Sequence, residues 1–103
     1  MRKRSNPMLT GKQKQYLKAI AVNFPAMVQI GKEGLAAPVI DSAEAAIAAR
    51  ELIKVKVNQN SEEEISHTAA VLAEALQCEI VQIIGRSCIL FRQKEKKSHY
   101  ELP

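Results

Sequence analysis

Residues 52–57 read Leu-Ile-Lys-Val-Lys-Val, and no other stretch limits the possible folds of this chain as tightly. Ile53, Val55 and Val57 alternate with Lys54 and Lys56. That period of two places one side of a strand in a core and the other in water. Helical periods stand on both sides of it. Before it, Leu35, Val39, Ala43 and Ile47 recur every fourth residue through an alanine-rich stretch, with Pro38 suited to a first helical turn. After it, Ile65, Ala69, Leu72, Ala73 and Leu76 form a second stripe. A strand set between two amphipathic helices belongs to an α/β unit.

The same reading extends in both directions. Thr10 is a suitable N-cap for a first helix with Leu17, Ile20 and Phe24 at helical spacing. Lys14 and Lys18 share an exposed face of it, and Lys12 lies a turn earlier on another side. Phe24-Pro25 ends the segment, because a residue before proline is driven out of the helical region. Ala26 to Ile30 suits a buried strand, and Gly31-Lys32-Glu33-Gly34 follows as a tight connection. Ser61-Glu62-Glu63-Glu64 has the spacing of a capping box, predicting that the third helix starts there. Ile80–Ile84 and Ile89–Phe91 read as a hairpin around Gly85-Arg86-Ser87, with Ile84 roughly opposite Cys88.

The predicted order is α-β-α-β-α-β-β. It implies a two-layer α/β sandwich with a four-stranded mixed sheet. The first three strands are expected to pair in parallel, and the hairpin adds one antiparallel strand. All helices are expected on one face, with the other face open. The 103 residues fit one domain, read as residues 9–93, with a flexible basic arm at 1–8 and a charged tail at 94–103. Met8 is an alternative natural start. The expected molecule is a monomer.

Charge narrows the function. Ten basic and four acidic residues give +6 over residues 1–56, five acids give −5 over 57–84, and five bases and two acids give +3 over 85–103. Such segregation favours an anionic polymer as partner more than the net +4 does. Only four aromatics are present (Tyr16, Phe24, Phe91, Tyr100), too few to stack many splayed bases. Nucleic-acid contact is therefore expected through phosphates and shape.

Enzymatic readings find little support. His67 lies beside the apolar stripe of the third helix and His99 in the tail, where surface roles explain both. Cys78 and Cys88 are too few for a disulfide scaffold and sit in no metal or nucleophile pattern. No metal or cofactor is expected. No apolar run reaches transmembrane length, no secretory signal is apparent, and no segment joins a broad apolar face to clustered cations. The expected setting is the cytoplasm, with no membrane partner.

Gly31 and Gly34 permit positive φ and close backbone approach, Lys32 adds a mobile cation, and the amides of a helix N-terminus follow. Taken alone, G-x-x-G is a weak signal. It stands in a series, however. Leu9-Thr10-Gly11-Lys12-Gln13-Lys14-Gln15-Tyr16-Leu17-Lys18 is followed by Val28-Gln29-Ile30-Gly31-Lys32-Glu33-Gly34-Leu35. Glu51-Leu52-Ile53-Lys54-Val55-Lys56-Val57 comes next, then Val81-Gln82-Ile83-Ile84-Gly85-Arg86 and Leu90-Phe91-Arg92. In order and spacing over residues 9–92, this series resembles the CRM domain (chloroplast RNA splicing and ribosome maturation) in its stand-alone, YhbY-like bacterial form.

The resemblance implies an RNA-binding domain similar in fold to the C-terminal domain of translation initiation factor three. It further implies association with precursors of the large ribosomal subunit, with rRNA as the partner and ribosomal proteins beside it. By motif position it points to Gly31, Lys32 and Gly34, with Lys12, Lys14, Lys18, Lys54, Lys56 and Arg86 as basic contributors. Ala36 and Ala37 depart from the family pattern, which often has Thr or Ser after the Gly-Leu pair. That removes a helix cap and a hydroxyl donor to phosphate. A competing reading is a protein-interaction module that rides on ribosomal particles through its acidic helix (Glu62, Glu63, Glu64, Glu74) or its open sheet face.

Overall fold

The computed structural model describes residues 9–103, so the expected basic arm at 1–8 lies outside the described residues. The elements follow the predicted order: α1 (Gly11–Ala21), β1 (Val28–Ile30), α2 (Ala37–Arg50), β2 (Leu52–Val57), α3 (Ile65–Leu76), β3 (Glu79–Ile84) and β4 (Ser87–Phe91). The four strands form one mixed sheet in the order β1-β2-β4-β3. No helix among the described residues is long and apolar enough to cross a membrane.

Parallel pairing is confined to β1 and β2, with Val28 opposite Val55 and Ile30 opposite Val57. The expectation that β3 would join them is corrected. β4 pairs antiparallel with both β2 and β3 and separates the two. Residues 87–91, Ser-Cys-Ile-Leu-Phe, are apolar from Cys88 onward and buried from there to Phe91, which suits a central strand covered on both faces. The hairpin also closes one residue tighter than expected. Gly85 and Arg86 alone form the turn, Ser87 belongs to β4, and Ile83 rather than Ile84 stands opposite Cys88. Gly85 has φ +56°, the positive value that a two-residue hairpin needs at its first central position.

Two cores result. On one face α2 and α3 cover Ile53, Val55, Val57, Cys88 and Leu90, with Ala43, Ile47, Ala69, Leu72 and Leu76 buried against them. On the other face α1 brings Leu17 and Ala21 onto Leu52, Val81, Ile89 and Phe91. The placement of all three helices on one face is therefore corrected: α1 lies opposite α2 and α3. Alternation in β2 alone suggested an open face. The run Cys88–Phe91 supplied apolar residues to both sides and gave α1 something to cover.

Helix entry also differs from the prediction. The reciprocal capping box belongs to α1: Thr10 Oγ1 accepts from the Gln13 N–H and Gln13 Oε1 accepts from the Thr10 N–H, each at 3.1 Å. Ser61 does not cap α3. Its N–H donates to Asn58 O, and its hydroxyl accepts from the Glu63 N–H at 3.1 Å, so residues 58–63 form a turn. Glu64 then stands in extended conformation just before α3, without a side-chain cap bond. At the far end of α3, Arg92 donates to Leu76 O at 2.7 Å and forks onto Glu44 of α2 at 2.9 and 3.1 Å. The charge-assisted bonds to Arg92 outweigh partial burial and hold the Glu44 carboxyl below its usual range.

Residues 94–103 carry no helix or strand yet pack on the body. Tyr100 meets Phe91 edge-to-face at 5.6 Å, and Leu102 joins the α1-side core. Their anchor is Glu51, fully buried between α2 and β2. Its carboxylate accepts from the Lys94 N–H (2.8 Å), the Ser98 hydroxyl (2.6 Å) and the His99 N–H (2.6 Å). Burial pushes this carboxyl up, but the Ser98, His99 and Lys94 donors outweigh it and the net displacement is downward. Glu51 also takes φ +70° at the C-terminus of α2, unusual for a residue with a side chain.

Candidate nucleic-acid interface

Three connections converge beyond the C-terminal ends of β1 and β2. The glycine loop is closed by the Gly34 N–H donating to Gly31 O at 3.0 Å. The 58–63 turn joins it through Asn58, whose N–H donates to Ile30 O at 2.9 Å. The hairpin turn joins through Arg86: its carbonyl accepts from the Val57 N–H, while its guanidinium donates to Val57 O at 3.0 Å and Asn58 O at 2.6 Å. Arg86 thus spends two donors on backbone carbonyls and bolts the turn to the end of β2.

The glycines serve different needs. Gly34 is buried with φ +70°, and a Cβ there would come within 2.5 Å of a Glu63 carboxylate oxygen. The positive φ is what favours glycine here, since the Glu63 carboxylate is the end of a half-buried, flexible side chain that can move aside. A Cβ on Gly31 would reach only ordinary contact with Asn60, at 3.9 Å. Lys32 and Glu33 sit at the exposed tip between them.

The next helix offers a thinner anion site than its position suggests. Ala36 caps α2 without a side-chain bond, Pro38 has no N–H, and the Val39 N–H already donates to Ala36 O. Sequence segregation of charge also does not survive folding here. Glu63, from the acidic segment, rests against Gly34, so carboxylates and cations share this end of the molecule. Neither Glu63 nor the role of Asn58 and Asn60 was legible from spacing, because only tertiary packing brings residues 58–63 to residues 31–34.

The remaining basic candidates divide by position. Lys56 is exposed and lies in register between Gln29 of β1 and Ser87 of β4, adjoining the three connections. Lys54 is two residues back on the same sheet face, and its Nζ donates to Phe24 O at 3.2 Å. Lys12, Lys14 and Lys18 belong to α1, which packs on that same face through Leu17 and Leu52. Gly31, Lys32, Gly34, Lys56 and Arg86 therefore come together at one end of the sheet. Lys54 and the α1 lysines extend away from it along the face that α1 half covers.

No group of three or more His, Cys, Asp or Glu side chains able to hold a metal occurs among the described residues. Cys78 and Cys88 are both buried, and burial pushes the Cys88 thiol up to about 12, which holds it protonated.

Known proteins resemble this chain over most of its length. The model of the CRS1/YhbY (CRM) domain matches residues 9–92, from the cap of α1 through Arg92. Probable RNA-binding protein YqeI of Bacillus subtilis is 38% identical over 96 residues, covering 93% of this chain and all of that protein. An RNA-binding protein of Haemophilus influenzae is 34% identical over 88 residues, 85% of this chain and 89% of that one. The solution structure of hypothetical protein SAV1595 of Staphylococcus aureus, described there as a candidate RNA-binding protein, is 41% identical. It superposes with a TM-score of 0.78 over 93% of this chain and all of that one. These relatives are named for RNA binding and not for an enzymatic activity.

Proposed function

This chain belongs to the CRS1/YhbY (CRM) domain family, and on that premise we propose that it binds RNA through the end of the sheet where Gly31–Gly34, Lys56 and Arg86 meet. The substrate in this proposal is structured rRNA in precursors of the large ribosomal subunit, and the role is assembly of that subunit in the cytoplasm. The observation that carries the reading is the convergence of the glycine loop with the hairpin turn and Lys56 on one edge. Gly31 permits close approach of a phosphate, and Lys32 and Lys56 supply exposed cations. Lys54 and the α1 lysines (Lys12, Lys14, Lys18) extend the positive track along the sheet face. With so few aromatics, the duplex backbone and its shape are read in preference to base identity.

Binding of purified protein to a large-subunit rRNA fragment across a salt series tests this directly. The double variant Lys32→Ala/Lys56→Ala is expected to bind more weakly, with a shallower dependence of log K on log salt. Each phosphate contact removed should flatten the slope by about 0.7–0.9. Unchanged affinity and slope would move the interface elsewhere. If naked RNA is not bound at low salt while ribosomal particles are, the partner is a protein and the acidic 62–64 segment becomes the place to look.

A further inference from the structure

A second concave region lies at the opposite end of β2. Leu52 and Val57 are five strand steps apart, or about 16 Å, so this region is distinct from the glycine-loop edge. Here a groove of about 480 Å³ opens between the C-terminal ends of α1 and α2 and the C-terminal segment. That is a size suited to a nucleotide-scale ligand, sites for which run roughly 300–1,000 Å³. Leu52 lies at its buried floor. Phe24, Met27 and Tyr100 supply apolar and aromatic surface, and exposed Arg50 and His99 supply N–H donors at the rim.

The lining is unusual for this chain. Two of its four aromatics border this one groove, and a third, Phe91, fixes the Tyr100 ring edge-to-face. Lys54 places its ammonium on the Phe24 carbonyl, adding a cation behind that wall. The wall formed by His99 and Tyr100 is also held firmly. Glu51 accepts from the His99 N–H and the Ser98 hydroxyl, and Gln93 Nε2 donates to Tyr100 O at 2.9 Å. The nearby carboxylate of Glu51 is thereby committed to these donors and faces no ligand.

We propose that this groove receives one unpaired nucleotide of a bound RNA. Its base would lie against Phe24, Met27 and Tyr100, and its phosphate or base edge would accept from Arg50 and His99. Aromatic faces beside a planar guanidinium and an imidazole suit a flat, anionic, hydrogen-bonding ligand. The inference rests on the RNA-binding reading above and adds a point of base contact that the glycine-loop edge lacks. It also makes RNA with an unpaired nucleotide near a helical segment a better ligand than a plain duplex.

The test titrates uridylate and adenylate tetranucleotides into the isotope-labelled full chain and follows its resonances, with a structured rRNA fragment titrated in parallel. Tetranucleotide-induced shifts should centre on Arg50, His99 and Tyr100. Arg50→Glu alters an exposed side chain, and Tyr100→Leu keeps apolar bulk while removing the ring. Each should weaken tetranucleotide binding by about fivefold or more, with the fold verified by the unchanged spectrum of α3. Shifts confined to the glycine loop, or affinities unaltered in both variants, would overturn the inference. If the rRNA fragment binds in a Lys32-dependent way while the groove stays silent, this inference alone falls. If neither RNA binds, the functional reading above falls with it.

Discussion

The two faces of the sheet are built on different terms. The face under α2 and α3 buries residues from β1, β2, β4 and both helices, together with Cys78, and half-buried Ile80 of β3 packs against them. The face under α1 buries about half as many, and it borrows Tyr100 and Leu102 from the C-terminal segment to finish its cover. Beyond that cover it leaves Lys56 and Ile84 exposed. The contrast teaches where this small domain keeps its stability and where it keeps room for a ligand. One face is closed by its own helices. The other is closed halfway, and its polar half adjoins the proposed RNA edge.

The sharpest way to break this contrast is a cavity under α3. Leu72→Ala removes a fully buried side chain from the closed face and is expected to cost about 2–5 kcal/mol. Urea unfolding reads that loss. RNA affinity measured below the transition should stay near that of the parent, since Leu72 is fully buried in the core under α3 and offers no surface to a ligand.

A smaller effect is expected on the half-closed face. Glu51→Gln sets an amide –NH₂ against some of the N–H and hydroxyl donors that the carboxylate accepts, at a cost of about 1–3 kcal/mol. The pH dependence has a definite sign. The folded-state pKa of Glu51 lies below its ordinary value of 4.5, so the stabilisation is complete above that value. It is lost as pH falls through the lower folded value. Amide exchange over residues 94–103 in a pH series should therefore show this segment releasing under acid, and Glu51→Gln should remove that pH dependence.

Next in size is Gly34→Ala. The position has φ +70° and faces the Glu63 carboxylate, so the substitution is expected to cost about 1–2 kcal/mol. Gly31→Ala, with only ordinary contact to Asn60 and no positive φ, should cost less than about 1 kcal/mol. A thermal-melt comparison of the two separates a glycine that the backbone demands from one that the fold can replace. The smallest stability change belongs to Lys32→Ala/Lys56→Ala, within about 0.5 kcal/mol, even though its effect on salt-dependent RNA binding should be the clearest of all. A large loss of stability there would show that these cations hold the fold together.

The elements that local pattern carries were readable. The alternation in residues 52–57 and the stripes ending at Ile47 and Leu76 appear in the molecule as β2, α2 and α3, since period reports burial directly. Boundaries depended on competition between local bonds. Ser61 has capping-box spacing, but its N–H and hydroxyl are consumed by the 58–63 turn, so α3 starts at Ile65. The candidate site was readable in its glycine loop and hairpin turn, both local motifs. The approach of Glu63 to Gly34 and the grip of Arg86 on Asn58 were not, since each joins residues 28 or 29 positions apart.

Sequence by itself determined the succession of helices and strands and the family, because each is written in short-range spacing. Only tertiary structure decided that β4 inserts between β2 and β3, that α1 takes the opposite face, and that Glu51 anchors the C-terminal segment. Those outcomes depend on which apolar surfaces can be covered at once and which buried donors find acceptors. Such sums run over the whole molecule and leave no periodic trace. Nothing in the spacing around Glu51 marks it as buried; the three donors that hold it come from residues 94–99.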